Sequence, residues 1–392
     1  MRLRELDHEL TALLRCYPAF VTRRVEEVPV GDIPVFVFHT IVPAEFEAQL
    51  RYLADNGYRT LSLGEFLDTM AGRRRPGPRE VLLTVDDART SFWLYGYPLL
   101  RKHGLRATLF AITGWTPDRA AHPNLEDVWA GRATIADLGR IDPDDRAVSS
   151  WSELRSMHAS GVVTVDSHSH LHRRVFATRE LVGVIEPGAD FSPSNAIHGP
   201  YLATADSPLQ STGADYVGLP LFPVRGFFED GPLFYGVPGA FAEFARRARG
   251  ILAAQGGRLP GRCLAELAES LPIEALRPVP EAGVRADLRE DLARARETLR
   301  ARLGDPTAGR TVCIPFTLGG KTVIDVAGGL GLEALFWGVS SERRTNRCGM
   351  DPAHLVRLKH DFIWRLPGHG RKTIAAIYAS KVTRRLAGAH PY

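Results

Sequence analysis

Short, mostly apolar runs alternate along this chain with stretches in which apolar residues recur every three or four positions. The runs fall at 35–38 (VFVF), 58–61, 81–85, 107–112 and 162–165, and they read as strands buried on both faces. Helical spacing fills the gaps, over 46–57 with a closing Asn56-Gly57, over 95–103, and from Ser150-Trp151-Ser152-Glu153 through Met157, with Gly161 as its stop. Strand followed by helix, repeated, predicts a parallel sheet or barrel. Later runs at 312–316 and 334–339 predict two more strands. The arginine- and glutamate-rich stretch 285–303, ending at Gly304, predicts a helix whose charges form a solvated face, and a basic helix is expected near 372–386.

Two stretches break the alternation. Residues 116–149 are polar and rich in Asp, Arg and Pro, whereas 184–282 are rich in Pro, Gly and Phe, with a helix over 241–255 and no strand–helix repeat. The predicted organisation is an N-terminal helical extension over 1–29, a catalytic barrel over 30–345 with insertions at about 116–149 and 184–282, and a basic helical extension over 346–392. Composition changes this little: 44% hydrophobic and 24% charged residues suit a soluble globular chain of 392 residues. With 49 basic and 45 acidic residues the net charge is only +4, which argues against nucleic acid as a partner chosen by bulk charge. Cys16, Cys263, Cys313 and Cys348 form no C-x-x-C pair, so neither a zinc knuckle nor a disulfide framework is expected. The segment MRLRELDHELTALLRCYPAF mixes acids into its apolar positions, and no apolar run is long enough to span a membrane. The expected setting is therefore reducing and cytoplasmic.

Three segments place polar groups directly after a predicted strand, where parallel-sheet and barrel folds build active sites. In VLLTVDDAR, Asp86 and Asp87 project in different directions, so one could bind a metal while the other accepts a proton; alternatively they cap the next helix. In VVTVDSHSHLHRR, three imidazoles fall within five residues, a density that points to a metal ion. His168 and His172 would share a helical face, whereas His168 and His170, or His170 and His172, would share one face of an extended strand. In TVCIPFTLGG, Pro315 ends a strand and frees nearby backbone N–H groups.

Thr84-Val85-Asp86-Asp87-Ala88 and His168-Ser169-His170-Leu171-His172 resemble the T-F-D-D-G and H-[ST]-x-x-H motifs of the polysaccharide deacetylase family, the nodulation-type carbohydrate esterases. VFVFHTI, with His39, is similar to the opening segment of these domains, and DLARARETLRARLG followed by CIPFTLGG resembles their later helix and proline-containing strand end. The resemblance covers roughly 30–185 and 284–340 and implies an α/β fold, a deformed (β/α)7-type barrel with the two large insertions. It further implies one divalent metal ion, Zn2+, held by Asp87, His168 and His172, with Asp86 as general base and an oxyanion-binding backbone N–H from the proline-containing loop Pro315-Phe316-Thr317. His39 would line the substrate site. The general acid is expected from an L-x-H motif, here Leu358-Lys359-His360, with His39 and His198 as competitors. Where the family carries an arginine before the proline, Cys313-Ile314 stand here, which predicts an Asp86 less firmly oriented. The implied activity is hydrolysis of an N-acetyl or other N-acyl amide on an amino sugar or glycoconjugate, either a small or medium carbohydrate or a lipid-linked sugar reached by peripheral membrane contact.

Two other readings use the same residues. Asp166-Ser167-His168-Ser169-His170 is similar to the D-x-H-x-H strand end of amidohydrolase barrels, which would make His168 and His170 the metal pair of a hydrolase for cyclic or small amides. A degenerate deacetylase domain that binds a glycan without turnover would also fit the altered motif flanks.

Overall fold

The computed structural model describes residues 13, 15–141, 147–189, 216–237 and 240–386. Residues 1–12 and 14 of the expected helical extension over 1–29, and the competitor His198, lie outside these residues. The chain divides into two compact units, one formed by residues up to 168 with 295–317 and 331 onward, the other by 169–294 with 318–330.

Strands are numbered in chain order. The first unit holds β1 (Val35–Phe38), β2 (Arg59–Thr60), β3 (Glu80–Val85), β4 (Ala107–Ala111), β5 (Val163–Ser167), β12 (Thr311–Cys313), β13 (Ala334–Phe336) and β14 (Leu358–Lys359). All pairings in this sheet are parallel, in the order β13-β12-β5-β4-β3-β1-β14, with β2 on β3. Its two ends meet. Phe336 of β13 bridges to Leu355, three residues before β14, and Trp337 N donates to Leu355 O at 2.7 Å. The result is a deformed α/β barrel, the fold the family resemblance implies and one of the two arrangements open to the strand–helix repeat.

Continuous apolar runs form these strands because both faces are covered. Along β3, Val81, Leu83 and Val85 pack with the helices Pro43–Asp55, Tyr97–His103 and Trp151–Ala159, while Leu82 packs inside with Phe110, Cys313, Phe336 and Leu355. Successive strand residues point to opposite faces, so Thr84 follows Leu82 to the barrel interior, and Asp86, just past the strand, continues that line. Capping boxes start the helices Leu63–Met70 (Ser62 with Glu65) and Trp151–Ala159 (Ser150 with Glu153), the latter as the sequence predicted.

Several boundaries differ from expectation. The run 58–61 yields only the two-residue β2. The run 312–316 stops as a strand at Cys313, because Pro315 has no N–H to give the ladder and Phe316 and Thr317 take φ of 57° and 58°. Residues 346–392, expected as an extension, supply β14 to the sheet, so the barrel runs past residue 345. Residues of the expected extension 1–29 likewise enter the core, with Tyr17, Phe20 and Val21 all buried.

In the second unit, β6 (Arg174–Phe176), β9 (Val224–Gly226), β10 (Phe234–Gly236) and β11 (Leu276–Pro278) form an antiparallel sheet, and β7 (Gly183–Val184) pairs β8 (Pro220–Leu221). None exceeds three residues, too short for alternation to show in the sequence. Helices Ala242–Ala254 and Gly261–Glu269 bury Phe244, Ala248, Leu252 and Leu267 against Val184. The helix expected over 285–303 begins earlier, as Glu281–Leu303. Among the described residues no helix is long and apolar enough to cross a membrane.

Candidate metal centre

The parallel sheet directs the C-terminal ends of β1, β3, β5, β12 and β14 to one edge, and each is followed by a residue singled out in the sequence. Asp86 follows β3 and is 2% exposed. Its Oδ1 and Oδ2 accept from Nη1 and Nη2 of Arg357 at 2.6 and 2.9 Å, a bidentate pair. Arg357 is itself 2% exposed, and its Nε donates to Trp337 O at 3.1 Å. Burial opposes ionisation of Asp86, but Arg357, followed by His168 and His39, outweighs it and holds the carboxyl down to about 2. The expectation of a loosely oriented Asp86 is thus overturned. The orienting arginine comes from the residue before β14 rather than from the strand before Pro315, where Cys313 brings its Sγ within 3.5 Å of Asp86 Oδ2.

Asp87 and Ala88 turn the chain away from β3 with φ of 68° and 56°, so two neighbouring carboxylates leave in different directions. Asp87 Oδ1 lies 3.5 Å from His168 Nε2, and Asp87 Oδ2 accepts from Arg89 Nε at 3.3 Å. His168 follows β5. Its Nδ1 is 2.9 Å from Cys313 O, and since a carbonyl only accepts, the proton sits on Nδ1 and Nε2 faces the carboxylates. His172, four residues further along the same loop, completes a buried group in which one ligand atom each of Asp87, His168 and His172 lie within 4.8 Å of one another. One carboxylate and two imidazoles are a donor set that suits a catalytic zinc with coordination positions left for other ligands. Asp86, His168 and Cys313 form a second such group around the same imidazole.

His170 stands apart. Ser169 has φ of 71°, which breaks the extended geometry that would have put His168 and His170 on one face. Among the described residues His170 belongs to no metal-competent group, and burial, helped by Arg294 and Arg173, pushes its pKa down to about 4. The paired-histidine arrangement of the amidohydrolase reading is therefore not what the chain builds. His170→Ala is expected to leave bound metal at the wild-type level by elemental analysis; loss of the metal would reinstate that reading.

His39 follows β1, with Nε2 3.8 Å from Asp86 Oδ2 and its side chain 25% exposed. His360 follows β14 but is not joined to the Asp86 group. Its ring stacks on Phe38 at 4.8 Å, it is buried, and it falls with Glu45 and Asp361 in a third group. Gln49 Nε2 lies 3.2 Å from both His360 Nδ1 and His360 O. Because the carbonyl can only accept, the amide nitrogen faces it, Nδ1 accepts as well, and the neutral ring carries its proton on Nε2. Pro315, Phe316 and Thr317 make a tight turn after β12, in which Thr317 N donates to Ile314 O at 3.0 Å.

Arg357, Gln49 and Asp291 escaped the sequence reading. Arg357 lies between Val356 and Leu358 in an apolar run, with nothing local to mark it as the partner of Asp86. Asp291 accepts from His170 N and Leu171 N at 3.0 and 3.1 Å, and here a signal existed: it falls three residues after Leu288 and four before Ala295, on the buried stripe of its helix.

Residues 73–184, the span from before β3 to β7, match the family model for polysaccharide deacetylase. Over 90 residues the chain is 38% identical to the protein YxkH of Bacillus subtilis, a match covering 21% of this chain and 32% of that protein. Over 132 residues it is 26% identical to a poly-beta-1,6-N-acetyl-D-glucosamine N-deacetylase of Staphylococcus aureus, covering 34% and 38%. These matches span about a third of the length of the curated relatives. In fold the chain resembles the deacetylase domain of BpsB from Bordetella bronchiseptica (TM-score 0.50, 18% identity, 85% and 97% of the two chains). It also resembles a de-N-acetylase from Aggregatibacter actinomycetemcomitans (TM-score 0.50, 15% identity, 83% and 94%).

Proposed function

We propose that this chain, whose polysaccharide deacetylase segment carries the centre described above, is a metal-dependent hydrolase that removes N-acetyl groups from an amino-sugar polymer or glycoconjugate. The convergence of Asp87, His168 and His172 beside the Arg357-clamped Asp86 carries this reading. The staphylococcal relative's substrate makes a β-1,6-linked N-acetylglucosamine chain the first to test.

Asp87, His168 and His172 would hold one divalent ion, Zn2+. When bound, such an ion acidifies water and polarises an amide carbonyl. Asp86 supplies the proton acceptor: the Arg357 pair fixes both of its oxygens and keeps it ionised throughout the neutral range. A backbone N–H of the turn after β12, at Phe316 or Thr317, is assigned to the developing oxyanion, since Pro315 has none. The proton for the departing amine is assigned to His360, whose ring Gln49 and Phe38 orient and which must first take up a second proton, since only the imidazolium can give one to the amine and return to the neutral ring. His39, beside Asp86, lines the substrate side.

The purified protein is expected to contain one zinc per chain and to release acetate from β-1,6-linked N-acetylglucosamine oligomers. Chelation should abolish release and added Zn2+ restore it. A protein that takes up no metal and releases no acetate would sink this reading and leave a glycan-binding domain without turnover.

A further inference from the structure

The loop that carries His172 is held from outside by a residue of the helix Glu281–Leu303. Asp291 is 5% exposed, and its two carboxylate oxygens accept from two successive peptide N–H groups, His170 N at 3.0 Å and Leu171 N at 3.1 Å. Successive donors on one carboxylate fix the direction of the chain across both peptide units. A second bond takes over at the next residue, where His172 N donates to Ser169 Oγ at 2.8 Å. Between them these bonds hold a backbone in which Ser169 and His172 take φ of 71° and 47°, values that non-glycine residues adopt only when their surroundings impose them.

We propose that Asp291 is a positioning residue that sets the affinity of the metal centre by holding the 169–172 loop in its ligating conformation. The inference rests on the reading of Asp87, His168 and His172 as metal ligands. Its logic is preorganisation: a loop already ordered pays less conformational entropy on binding, and removal of a residue that orients a ligand typically weakens metal affinity by roughly 10- to 100-fold. Asp291→Asn tests this with little change of shape. The amide oxygen can keep one of the two peptide donors, but its NH2 group then faces the other. Asp291→Ala removes both acceptors. A control lies one turn earlier on the same helix and in the same unit, where Asp287 Oδ2 accepts from Tyr235 OH at 2.7 Å without touching the loop.

The experiment is calorimetric titration of Zn2+ into the chelator-treated full chain, accompanied by the absorption spectrum of the Co2+ form and the thermal unfolding midpoint of the metal-free form. Zinc Kd is expected to rise roughly 10-fold in Asp291→Asn and up to about 100-fold in Asp291→Ala, with an altered cobalt spectrum. Asp287→Asn should keep the wild-type Kd and spectrum even where its midpoint falls. Should Asp291→Ala fail to fold, Asp291→Asn decides the matter. Wild-type Kd and cobalt spectrum in Asp291→Asn would overturn the proposal. So would an equal loss of affinity in Asp287→Asn, because the effect would then be one of helix stability. If the wild-type protein itself takes up neither ion, the metal reading has failed and this inference falls with it, an outcome distinct from a wild type that binds and a variant that binds equally well.

Discussion

His168→Ala is expected to abolish bound metal and to lower acetate release by at least roughly 1000-fold, since the ion's charge stabilisation is worth several kcal/mol at the transition state. This imidazole belongs to both buried groups at the edge of the sheet, with Asp87 and His172 on one side and Asp86 and Cys313 on the other. It is also firmly oriented, because Nδ1 is tied to Cys313 O at 2.9 Å across the β5–β12 pair. Without it, Asp87 and His172 offer one carboxylate and one imidazole, one donor short of the usual catalytic set. The loss should therefore exceed the roughly 10- to 100-fold typical of an orienting residue. Elemental analysis beside an acetate assay checks this, with circular dichroism to confirm folding. A variant that keeps both metal and rate would remove His168 from the centre, and with it the argument for a metal hydrolase.

The candidate aspartates and histidines could be read from the sequence because barrel folds place chemistry where an apolar run ends, while the choice of Asp87, His168 and His172 among them came from the family resemblance. All five early runs became strands of the parallel sheet, 58–61 only as the two-residue β2, and Asp86-Asp87 and His168 stand directly past two of them. Arg357 was not legible, because β14 is two residues long and joins the sheet beside β1 only through tertiary pairing. Nothing near Val356-Arg357-Leu358 indicates that a guanidinium will lie inside the barrel opposite an aspartate 271 positions away. The helix Glu281–Leu303 misled in another way. Its many charges do form an exposed face, yet Leu288, Leu292, Ala295 and Leu299 define a buried stripe, and Asp291 falls on that stripe as a polar group with peptide donors waiting for it. Composition over the whole helix hid what its periodicity contained.

Arg357→Met is the second change expected to have a large effect, and it acts through Asp86. With Arg357 in place, the Asp86 carboxyl is held at about 2, below its ordinary value, even though burial alone would push it up. A carboxylate with a depressed folded-state pKa contributes stability above its unfolded pKa and loses it as pH falls through the folded one, near 2 here. Methionine removes the charge while filling similar space, leaving a carboxylate that is 2% exposed without its main counter-charge. Breaking such a buried pair typically costs about 3–5 kcal/mol, some of which Asp86 can recover by taking up a proton. Two consequences follow from the sign of that shift. The acid limb of kcat/KM should move to higher pH, because the proton acceptor is lost at a pH where the wild type keeps it ionised. The stability deficit should be largest at neutral pH and shrink in acid, as protonation of Asp86 removes the unpaired charge. Arg357→Lys should restore part of the limb's position, since its ammonium supplies charge without the two-pronged geometry that fixes both oxygens of Asp86. Urea unfolding at pH 4 and pH 7, set beside pH–rate profiles for the wild type and both variants, measures each effect. An acid limb that stays in place in Arg357→Met, in a protein that still binds its metal, would show that Asp86 is not the group whose ionisation governs the reaction.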